Sequence, residues 1–452
     1  MKFGIFFEHQ VPRPWEPGDE ARVFAEALEQ IELADRIGIE YAWLVEHHFL
    51  EEYSHSSAPE LFLAAASQRT KRIRLGHGIV HTLPAINHPA RIAERIATLD
   101  ILSGGRVDFG TGEGSAAAEL DAFGVDPADK RAMWEEGTRV ALRCLTEQPF
   151  TGFAGDHVQL APRNVVPKPI QSPHPPVWVA CTRRETIVLA AQRGIGALSF
   201  AFFDPEEAKL WVDDYYETLA NEGVPIGDAV NANLACVTGF FCHDDELEAV
   251  RRGSEGVNFI GYSLGHYYVF GRHRPGAGDL WAEYQERRAE RGFDPEAVAL
   301  AAGNADVLGA KVVQEGTSGL RGATGTPQQV REYLRRYEAV GVDQVILSCS
   351  AGRNRHEHIM ESLELFGREV LPEFRERDEQ QQRDKAARLE PVIAAVLARK
   401  PAADHPPLDV EYEIPAYPRQ DADRQEGDRF HRWLDDYRAK IAAGEDVSKR
   451  LA

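Results

Sequence analysis

Eight short apolar runs rich in β-forming residues alternate with longer helical patterns, and this alternation limits the fold more than any other feature. The predicted strands are residues 2–7, 41–46, 73–80, 106–110, 177–180, 197–201, 236–241 and 344–349. The helical patterns between them include residues 20–37, 89–102, 185–192, 205–221 and 327–339. Eight strands separated by helices predict an α/β protein with a parallel (β/α)8 TIM barrel, although a doubly wound sheet has the same local alternation.

Two regions break this alternation. Residues 255–326 lie between the seventh and eighth predicted strands, and they are longer than a single crossover requires. Their aromatic residues and glycines fit either a lid over the barrel or an elaborated helical excursion, and both interpretations stay open. Residues 375–452 are rich in charged residues, Gln and Pro, which is typical of a peripheral helical extension. The predicted domains are therefore a barrel over residues 1–374 and a C-terminal extension over residues 375–452.

The composition indicates an enzyme-sized cytoplasmic protein. The 452 residues include 43% hydrophobic residues and carry a formal net charge of −21. Because nucleic-acid binding needs concentrated Lys and Arg, this charge argues against a nucleic-acid partner. No apolar run reaches the length of a membrane span, so neither a membrane partner nor a signal peptide is expected. The five cysteines are scattered without a CxxC pair, as expected in a reduced cytoplasm.

The stretch Leu44-Val45-Glu46-His47-His48-Phe49 places three polar side chains at the end of the second predicted strand. Successive side chains of a strand point to opposite faces, so His47 and His48 are not expected to chelate one ion, and no metal site is predicted. Active-site groups of barrels lie at the carboxyl ends of the strands, where a histidine suits proton transfer. Packing and hydrogen bonding at the barrel rim is the simpler interpretation of the residues taken alone.

Other strand ends supply groups to the same rim. Glycines flank His77 after the third strand, and a glycine-rich segment over residues 109–114 follows the fourth without a dinucleotide-binding GxGxxG context. After the fifth strand, the sequence Cys-Thr-Arg-Arg-Glu-Thr over residues 181–186 opens a helix. Hydroxyls, guanidinium groups and backbone N–H groups at a helix start can bind phosphate, although a Thr182 N-cap with surface arginines explains the same residues. Together these segments predict a site for a phosphorylated, planar cofactor.

Several motifs follow one another in the order and spacing of a known family. They are Lys2-Phe3-Gly4, Trp43-Leu44-Val45-Glu46-His47-His48-Phe49, His88-Pro89-Ala90-Arg91, Asp100-Ile101-Leu102-Ser103-Gly104-Gly105-Arg106, Pro176-Val177-Trp178-Val179-Ala180 and Gly325-Thr326-Pro327. Through these motifs the chain, from Met1 to about Phe374, resembles the bacterial-luciferase-like, flavin-dependent monooxygenases. The resemblance does not cover the C-terminal extension.

The resemblance implies a two-component oxidoreductase that binds reduced FMN delivered by a separate NAD(P)H-dependent flavin reductase. In that family oxygen adds to the flavin, and the resulting flavin hydroperoxide oxidises a small organic molecule. Family members commonly form homodimers through barrel helices, so a homodimer is expected here.

The resemblance also implies roles for individual residues. His47 matches the histidine that acts in catalysis near the flavin, and Glu46 and His48 match the neighbours that hold the geometry of that site. The flavin-binding positions fall on or beside Gly78, Ile79, Gly112, Thr182, Arg183, Arg184 and Thr186. The peptide between Gly78 and Ile79 falls near a cis peptide of the family, which is a costly conformation for a residue other than proline.

This chain departs from luciferase at two positions. The reactive cysteine of luciferase falls on Gly112 and the adjacent phosphate-binding arginine falls on Glu113, so phosphate binding is expected to depend on Arg183 or Arg184, and light emission is not expected.

Three alternative functions stay open. A deazaflavin-dependent hydride-transfer oxidoreductase comes second, because its relatives commonly carry an Asp-His pair in place of Glu46-His47-His48. A metal-dependent barrel hydrolase is disfavoured because Glu8-His9-Gln10 offers one histidine only. A non-catalytic, luciferase-like partner subunit is disfavoured by the retained Glu46-His47-His48. The organic substrate is not identified by the sequence.

Overall fold

The architecture was obtained as a computed structural model, which describes residues 1–200, 204–290, 296, 313–314, 317–318, 321–402, 407–414 and 429–444. Part of the predicted lid region and residue 201, at the end of the sixth predicted strand, lie outside these residues. The chain divides into two compact units, residues 1–405 and residues 406–452.

The first unit is a closed barrel of eight parallel strands. In chain order they are β1 (Lys2–Phe7), β2 (Tyr41–Leu44), β3 (Arg74–His77), β4 (Val107–Gly112), β5 (Val177–Cys181), β6 (Gly196–Ser199), β7 (Leu234–Cys242) and β8 (Gln344–Ser350). Each strand pairs in parallel with the next, and β8 pairs with β1 through Lys2 opposite Gln344, which closes the ring. The predicted (β/α)8 barrel is therefore confirmed, including the position of all eight strands.

Two tryptophans fill the barrel interior. The ring centroids of Trp43 on β2 and Trp178 on β5 lie 5.4 Å apart in an edge-on arrangement. Gly76 on β3 leaves room for this packing, because a Cβ atom there would lie 2.2 Å from the Trp43 ring. The interior is thus closed by large side chains, and the open end of the barrel is where a ligand can bind.

Helices cover the outside of the barrel. They are α1 (Asp19–Ile37), α2 (Pro59–Arg69), α3 (Pro89–Ser103), α4 (Ala117–Ala122), α5 (Lys130–Thr146), α6 (Arg184–Gln192), α7 (Pro205–Glu222), α8 (Glu246–Gly265), α9 (Leu280–Glu290), α10 (Pro327–Ala339), α11 (His356–Glu369) and α12 (Leu371–Ala398). As the Gly325-Thr326-Pro327 motif predicts, α10 starts at this point. The Thr326 backbone N–H donates to Gln329 Oε1 at 2.9 Å, and the Gln329 N–H donates to Thr326 Oγ1 at 3.4 Å, which together form a capping box.

The insertion after β7 consists of α8, a π-helical segment over His266–Phe270 and α9 in its described part. The helix α8 begins at Glu246, so the predicted start of the insertion at residue 255 falls within this helix. Two glutamates that follow the β2 strand hold the insertion. Glu52 accepts hydrogen bonds from the backbone N–H groups of Leu280 at 2.5 Å and Trp281 at 3.0 Å. Glu51 accepts one from the N–H of Gly276 at 2.7 Å.

The helix α12 extends through residue 374, where the sequence analysis places the start of the C-terminal extension; that domain boundary stays a prediction. The second unit contains α13 (Arg429–Ala442), on which Trp433 and Tyr437 stack with ring centroids 5.3 Å apart. Among the helices described, none has the length and apolar character needed to cross a membrane.

Candidate active site

A cavity of about 270 Å³ opens at the carboxyl ends of the barrel strands. Six residues predicted for the site line it: His47, Ile79, Gly112, Thr182, Arg183 and Thr186. The other four predicted residues, Glu46, His48, Gly78 and Arg184, are not part of its lining. The barrel therefore brings most of the predicted cofactor positions and the predicted catalytic histidine to one place.

The segment that follows β2 delivers His47 to the cavity. Its backbone N–H donates to the carbonyl oxygen of Ser56 at 2.9 Å, and the Ser56 hydroxyl donates to the carbonyl oxygen of Val45 at 2.6 Å. Phe49, two residues further on, has a φ of +64°, which is uncommon for an aromatic residue. The two hydrogen bonds fix the backbone from Val45 to His47.

A buried carboxylate forms an ion pair with His47. Glu119 on α4 is fully buried, and its Oε1 atom lies 3.1 Å from His47 Nδ1 and accepts the His48 backbone N–H at 2.8 Å. Burial lowers the pKa of His47, but the Glu119 carboxylate outweighs it and raises this pKa to about 9. In turn His47 overcomes the effect of burial on Glu119 and holds the pKa of that carboxyl well below its usual range. At neutral pH the two groups form an imidazolium–carboxylate pair.

A second carboxyl group, Glu8, lies on the other side of the His47 ring. Its Oε2 atom is 3.9 Å from His47 Nε2, and its Oε1 atom accepts the Tyr53 hydroxyl at 3.0 Å. Burial raises the pKa of Glu8 to about 7, against the opposing effects of His47 and the Tyr53 hydrogen bond. His47 is thus placed between one ionised carboxylate and one carboxyl that titrates near neutrality.

Glu46 and His48 connect two loops of the rim. Glu46 Oε1 lies 3.0 Å from His48 Nε2 and accepts the Asn87 side-chain amide at 2.8 Å. Glu46 Oε2 accepts the His81 backbone N–H at 3.0 Å. Burial raises the pKa of Glu46, but these donors outweigh it and the pKa is lowered, so the carboxylate stays ionised. Its position fits the holding role that the resemblance implies.

His81 completes a cluster of possible metal ligands with His47 and Glu119. One ligand atom from each lies within 4.8 Å of the other two, and all three residues are buried. Two imidazoles and a carboxylate could hold a divalent cation. The Nδ1 atom of His47 is also placed to donate to Glu119, so the same atoms form a hydrogen bond without any ion.

The start of helix α6 forms one end of the cavity. Thr182, Arg183 and Thr186 lie at its start, where backbone N–H groups point outward and favour an anion. Within the described part of the chain no carboxylate lies at ion-pair distance from Arg183, whereas Arg184 forms a bidentate ion pair with Asp214 on α7. Of the two arginines, Arg183 is the one that lines the cavity.

Glu113 occupies the cavity wall where luciferase has a phosphate-binding arginine. Its Oε1 atom lies 3.0 Å from Arg131 Nη2 on α5. The neighbouring Lys130 donates to the carbonyl oxygen of Gly114 at 2.7 Å. Arg131 therefore offsets the charge of Glu113, which would otherwise repel a phosphate.

The remaining walls of the cavity are mostly apolar and suit a flat ring. They come from Val45, Ile79, Ala180 and Phe200 of the barrel and from Leu264, Tyr268 and Val269 of the insertion. Gly112 allows Ile79 to approach, because a Cβ atom at this position would lie 3.0 Å from the Ile79 side chain. The donor groups at α6 and these walls fit the phosphate and the ring of a flavin mononucleotide.

The peptide between Gly78 and Ile79, which falls near a cis peptide of the family, is trans. The cis bonds of the described residues all precede prolines, at Pro14, Pro149, Pro167 and Pro173. The trans form is favoured by several kcal/mol for a residue other than proline. Gly78 instead donates its N–H to the carbonyl oxygen of Leu44 at 2.6 Å, and this contact ties the β3 end to β2.

Four residues of the site were not identified from the sequence: Glu8, Tyr53, Glu119 and Tyr268. Glu8 follows β1 directly, so the rule that pointed to His47, a polar residue at a strand end, points to Glu8 as well. Glu119 lies 72 positions after His47 and has no motif of its own. Tyr53 and Tyr268 resemble ordinary packing aromatics in the sequence.

Comparisons with known proteins agree with the resemblance. The sequence model of the family described as luciferase-like monooxygenase matches residues 1–344. Limonene 1,2-monooxygenase of Rhodococcus erythropolis is 36% identical over 213 residues, which is 45% of this chain and 51% of that protein. The oxygenase component of the flavin-dependent trigonelline monooxygenase of Acinetobacter baylyi is 25% identical over 83% of this chain and 96% of its own length. The chain matches only 50–63% of the length of the first four relatives.

Two solved structures share the fold at lower identity. The oxygenating constituent of 3,6-diketocamphane monooxygenase from Pseudomonas putida, in complex with FMN, has a TM-score of 0.61 and 22% identity, over 82% of this chain and 98% of that one. The coenzyme F420-dependent tetrahydromethanopterin reductase of Methanopyrus kandleri has a TM-score of 0.56 and 23% identity, over 82% and 99%.

Proposed function

Because this chain belongs to the luciferase-like monooxygenase family, we propose that it is the oxygenase component of a two-component flavin-dependent monooxygenase. It takes reduced FMN and molecular oxygen and oxidises a small organic substrate. One observation carries the proposal: a single cavity is lined both by His47, in its buried pair with Glu119, and by Arg183 at a helix start. These are the groups needed to control a proton and to hold a phosphate.

Reduced FMN, when bound, supplies the electrons that activate oxygen. In this proposal Thr182, Arg183 and Thr186 bind its phosphate, and the walls from Ile79 and Phe200 bind its ring and exclude water. His47 holds a proton inside the cavity, because Glu119 keeps the imidazole charged. The site then controls where a proton goes while oxygen reacts.

Two relatives support this assignment. The trigonelline monooxygenase chain is an oxygenase component, and the diketocamphane monooxygenase chain binds FMN in its structure. An oxygenase component receives its reduced flavin from elsewhere, so the proposed partner is a separate NAD(P)H-dependent flavin reductase.

Stopped-flow absorbance tests the proposal. The purified protein is loaded with reduced FMN without oxygen and is then mixed with oxygenated buffer. A spectrally distinct species that persists well beyond the reoxidation time of free reduced FMN is expected, and the His47→Asn variant should shorten its life. Failure to bind reduced FMN, or reoxidation at the rate seen in free solution, would contradict the proposal.

The second candidate is hydride transfer with a deazaflavin. It is favoured by the likeness to the F420-dependent reductase, whose name states that cofactor. A fluorescence titration with each cofactor separates the two functions. Tight binding of F420 alone would favour hydride transfer over the oxygenase proposal, whereas tight binding of FMN alone would exclude hydride transfer with a deazaflavin.

We also propose that the chain forms a homodimer through α2 and α3. These neighbouring helices expose Leu61, which is 71% accessible, and Ile101 and Leu102, which are 44% and 51% accessible. Apolar side chains exposed on adjacent helices are typical of a contact between subunits.

A further inference from the structure

Two tyrosines line the cavity, Tyr53 and Tyr268, and they differ in how their hydroxyl groups are used. The Tyr53 hydroxyl donates to Glu8 Oε1 at 3.0 Å. The Tyr268 hydroxyl forms no hydrogen bond with any residue that the structure describes. Its side chain is partly exposed, and the hydroxyl oxygen is accessible rather than sealed in the interior. Tyr268 therefore offers a donor to a molecule in the cavity.

The surroundings of Tyr268 do not account for its hydroxyl. A tyrosine hydroxyl usually finds a hydrogen-bond partner when the ring packs among apolar groups. Phe200, Leu264 and Val269 line the cavity together with Tyr268, and none of these side chains accepts a hydrogen bond. A phenylalanine would fill the same space. Tyr268 also lies in the π-helical segment His266–Phe270, and such segments are frequent at functional sites.

Tyr268 lies on the side of the cavity that carries His47. The ring centroids of Tyr268 and Tyr53 are 6.4 Å apart, and those of Tyr53 and His47 are 5.4 Å apart. Tyr53 and His47 follow β2, whereas Arg183 follows β5, three strands further around the ring of eight. Val269 is 81% exposed, so this wall borders the mouth of the cavity. A phosphate bound at Arg183 therefore leaves the Tyr268 hydroxyl to a different group.

The charges of the cavity wall favour an uncharged group at Tyr268. Among the described residues of the lining, Arg183 is the only lysine or arginine, and the proposed function assigns it to the phosphate. The cation of His47 is paired with Glu119, at 3.1 Å. A carboxylate at Glu8 would repel an anion. A hydroxyl donor without an unpaired cation beside it suits a neutral oxygen atom.

We propose that Tyr268 determines substrate specificity, by donating a hydrogen bond from its hydroxyl to a neutral oxygen atom of an otherwise apolar substrate. This inference rests on the proposed function, because it describes the molecule that the oxygenase oxidises. A site that hydrogen-bonds a substrate oxygen discriminates against an analogue without that oxygen, since the donor is then left unpaired. The cavity should therefore distinguish a ketone from a hydrocarbon of the same shape.

Cyclohexanone and methylenecyclohexane are matched probes, because a CH2 group replaces the carbonyl oxygen in the second. Their dissociation constants are measured by ligand-observed NMR titration, with cofactor-free protein and with protein loaded with oxidised FMN. Tyr268→Phe should weaken cyclohexanone binding by about 2- to 12-fold, as expected for the loss of one neutral hydrogen bond, and should leave methylenecyclohexane binding unchanged. Tyr267→Phe is the matched control, because the Tyr267 hydroxyl lies 3.4 Å from His273 Nδ1 and Tyr267 does not line the cavity.

Infrared spectroscopy of bound, carbonyl-labelled cyclohexanone separates a hydrogen bond from packing. The carbonyl band should lie at lower frequency in the wild type and in Tyr267→Phe than in Tyr268→Phe, because a hydrogen bond weakens the C=O bond. Absence of cyclohexanone binding, or an unchanged affinity and band in Tyr268→Phe, would overturn the inference.

Three further outcomes are decisive. Loss of reduced-FMN affinity in Tyr268→Phe with an unmoved carbonyl band would assign the hydroxyl to the flavin and overturn the inference. The expected probe results in a protein that binds no reduced FMN would support the Tyr268 subsite and contradict the proposed function. If Tyr268→Phe does not fold, the wild-type band decides, and a frequency equal to that of cyclohexanone in hexane would overturn the inference.

Discussion

The buried pair of His47 and Glu119 links the protonation of the site to the stability of the fold. The folded-state pKa of His47 is about 9, above its ordinary value of 6.5. A group with a raised pKa contributes its full stabilisation below the unfolded pKa and loses it as the pH rises through the folded pKa. The free energy of unfolding should therefore fall by about 3 kcal/mol between pH 6.5 and pH 9, at ~1.4 kcal/mol per unit of pKa shift.

Glu119→Gln should flatten this decline, because the carboxylate that raises the pKa of His47 is gone. Urea unfolding of both proteins at a series of pH values measures the effect. The Glu8 carboxyl changes the free energy of unfolding mainly between the usual pKa of a carboxyl group and pH 7. The change in the free energy of unfolding between pH 7 and pH 9 therefore reports His47. An equal slope in wild type and variant over that interval would contradict the assignment.

Two adjacent arginines offer a matched pair of variants. Arg183 lines the cavity, whereas Arg184 is held by Asp214 outside it. A hydrogen bond to a charged group contributes about 1.5–3 kcal/mol, so Arg183→Ala should weaken reduced-FMN binding by roughly 10- to 150-fold. Arg184→Ala should bind reduced FMN as the wild type does. Anaerobic fluorescence titration measures both, and the reverse order of effects would place the phosphate elsewhere.

The sequence alone could not separate these arginines. Both follow the same strand, and the motif marks the segment rather than the direction of each side chain. Direction depends on the turn at which α6 begins, where Arg183 is the N-cap residue and Arg184 the first helical residue. The sequence does not identify Glu119 for another reason: its contact with His47 exists only after α4 has packed against the end of β2.

At the scale of elements, the anchoring of the insertion by Glu51 and Glu52 can be tested. Glu52→Ala removes the acceptor of the Leu280 and Trp281 N–H groups, and each unsatisfied group costs about 1–3 kcal/mol. Amide hydrogen exchange at the start of α9 should become roughly tenfold faster or more. Glu286→Ala, on the exposed side of the same helix, serves as the control and should leave the exchange unchanged. Equal exchange in Glu52→Ala and wild type would show that other contacts hold the insertion.

The sequence predicts the barrel strands well, because strands that are buried on both faces consist mostly of apolar residues. All nine residues of β7 are buried, for example, and its run was recognised. The boundaries are less exact: the apolar run over residues 73–80 predicts one strand, but β3 ends at His77 and a short strand over Val80–His81 follows. The bonds between the insertion and Glu51 and Glu52 follow from tertiary packing and leave no pattern in the sequence.

At the scale of the whole molecule, the proposed homodimer predicts a mass twice the 50.3 kDa of one chain. Leu61→Glu combined with Leu102→Glu should shift the protein to monomers, because charges would be buried without partners at the contact. Leu210→Glu on α7, where the leucine is 56% exposed, is the matched control and should leave the mass unchanged. Sedimentation velocity measures all three proteins, and a wild type that sediments as a monomer would refute the proposed contact.

The hydrogen bonds that Glu51 and Glu52 accept from the insertion also bear on the cavity. Tyr53 follows Glu51 and Glu52 in the chain, and its hydroxyl binds Glu8. Tyr268 and Val269 of the insertion line the cavity, and the N–H of Gly276, further along the same insertion, donates to Glu51. The insertion therefore joins the cavity wall to the segment that carries Tyr53. A substitution at Glu51 or Glu52, neither of which lines the cavity, acts on the cavity wall as well as on the insertion.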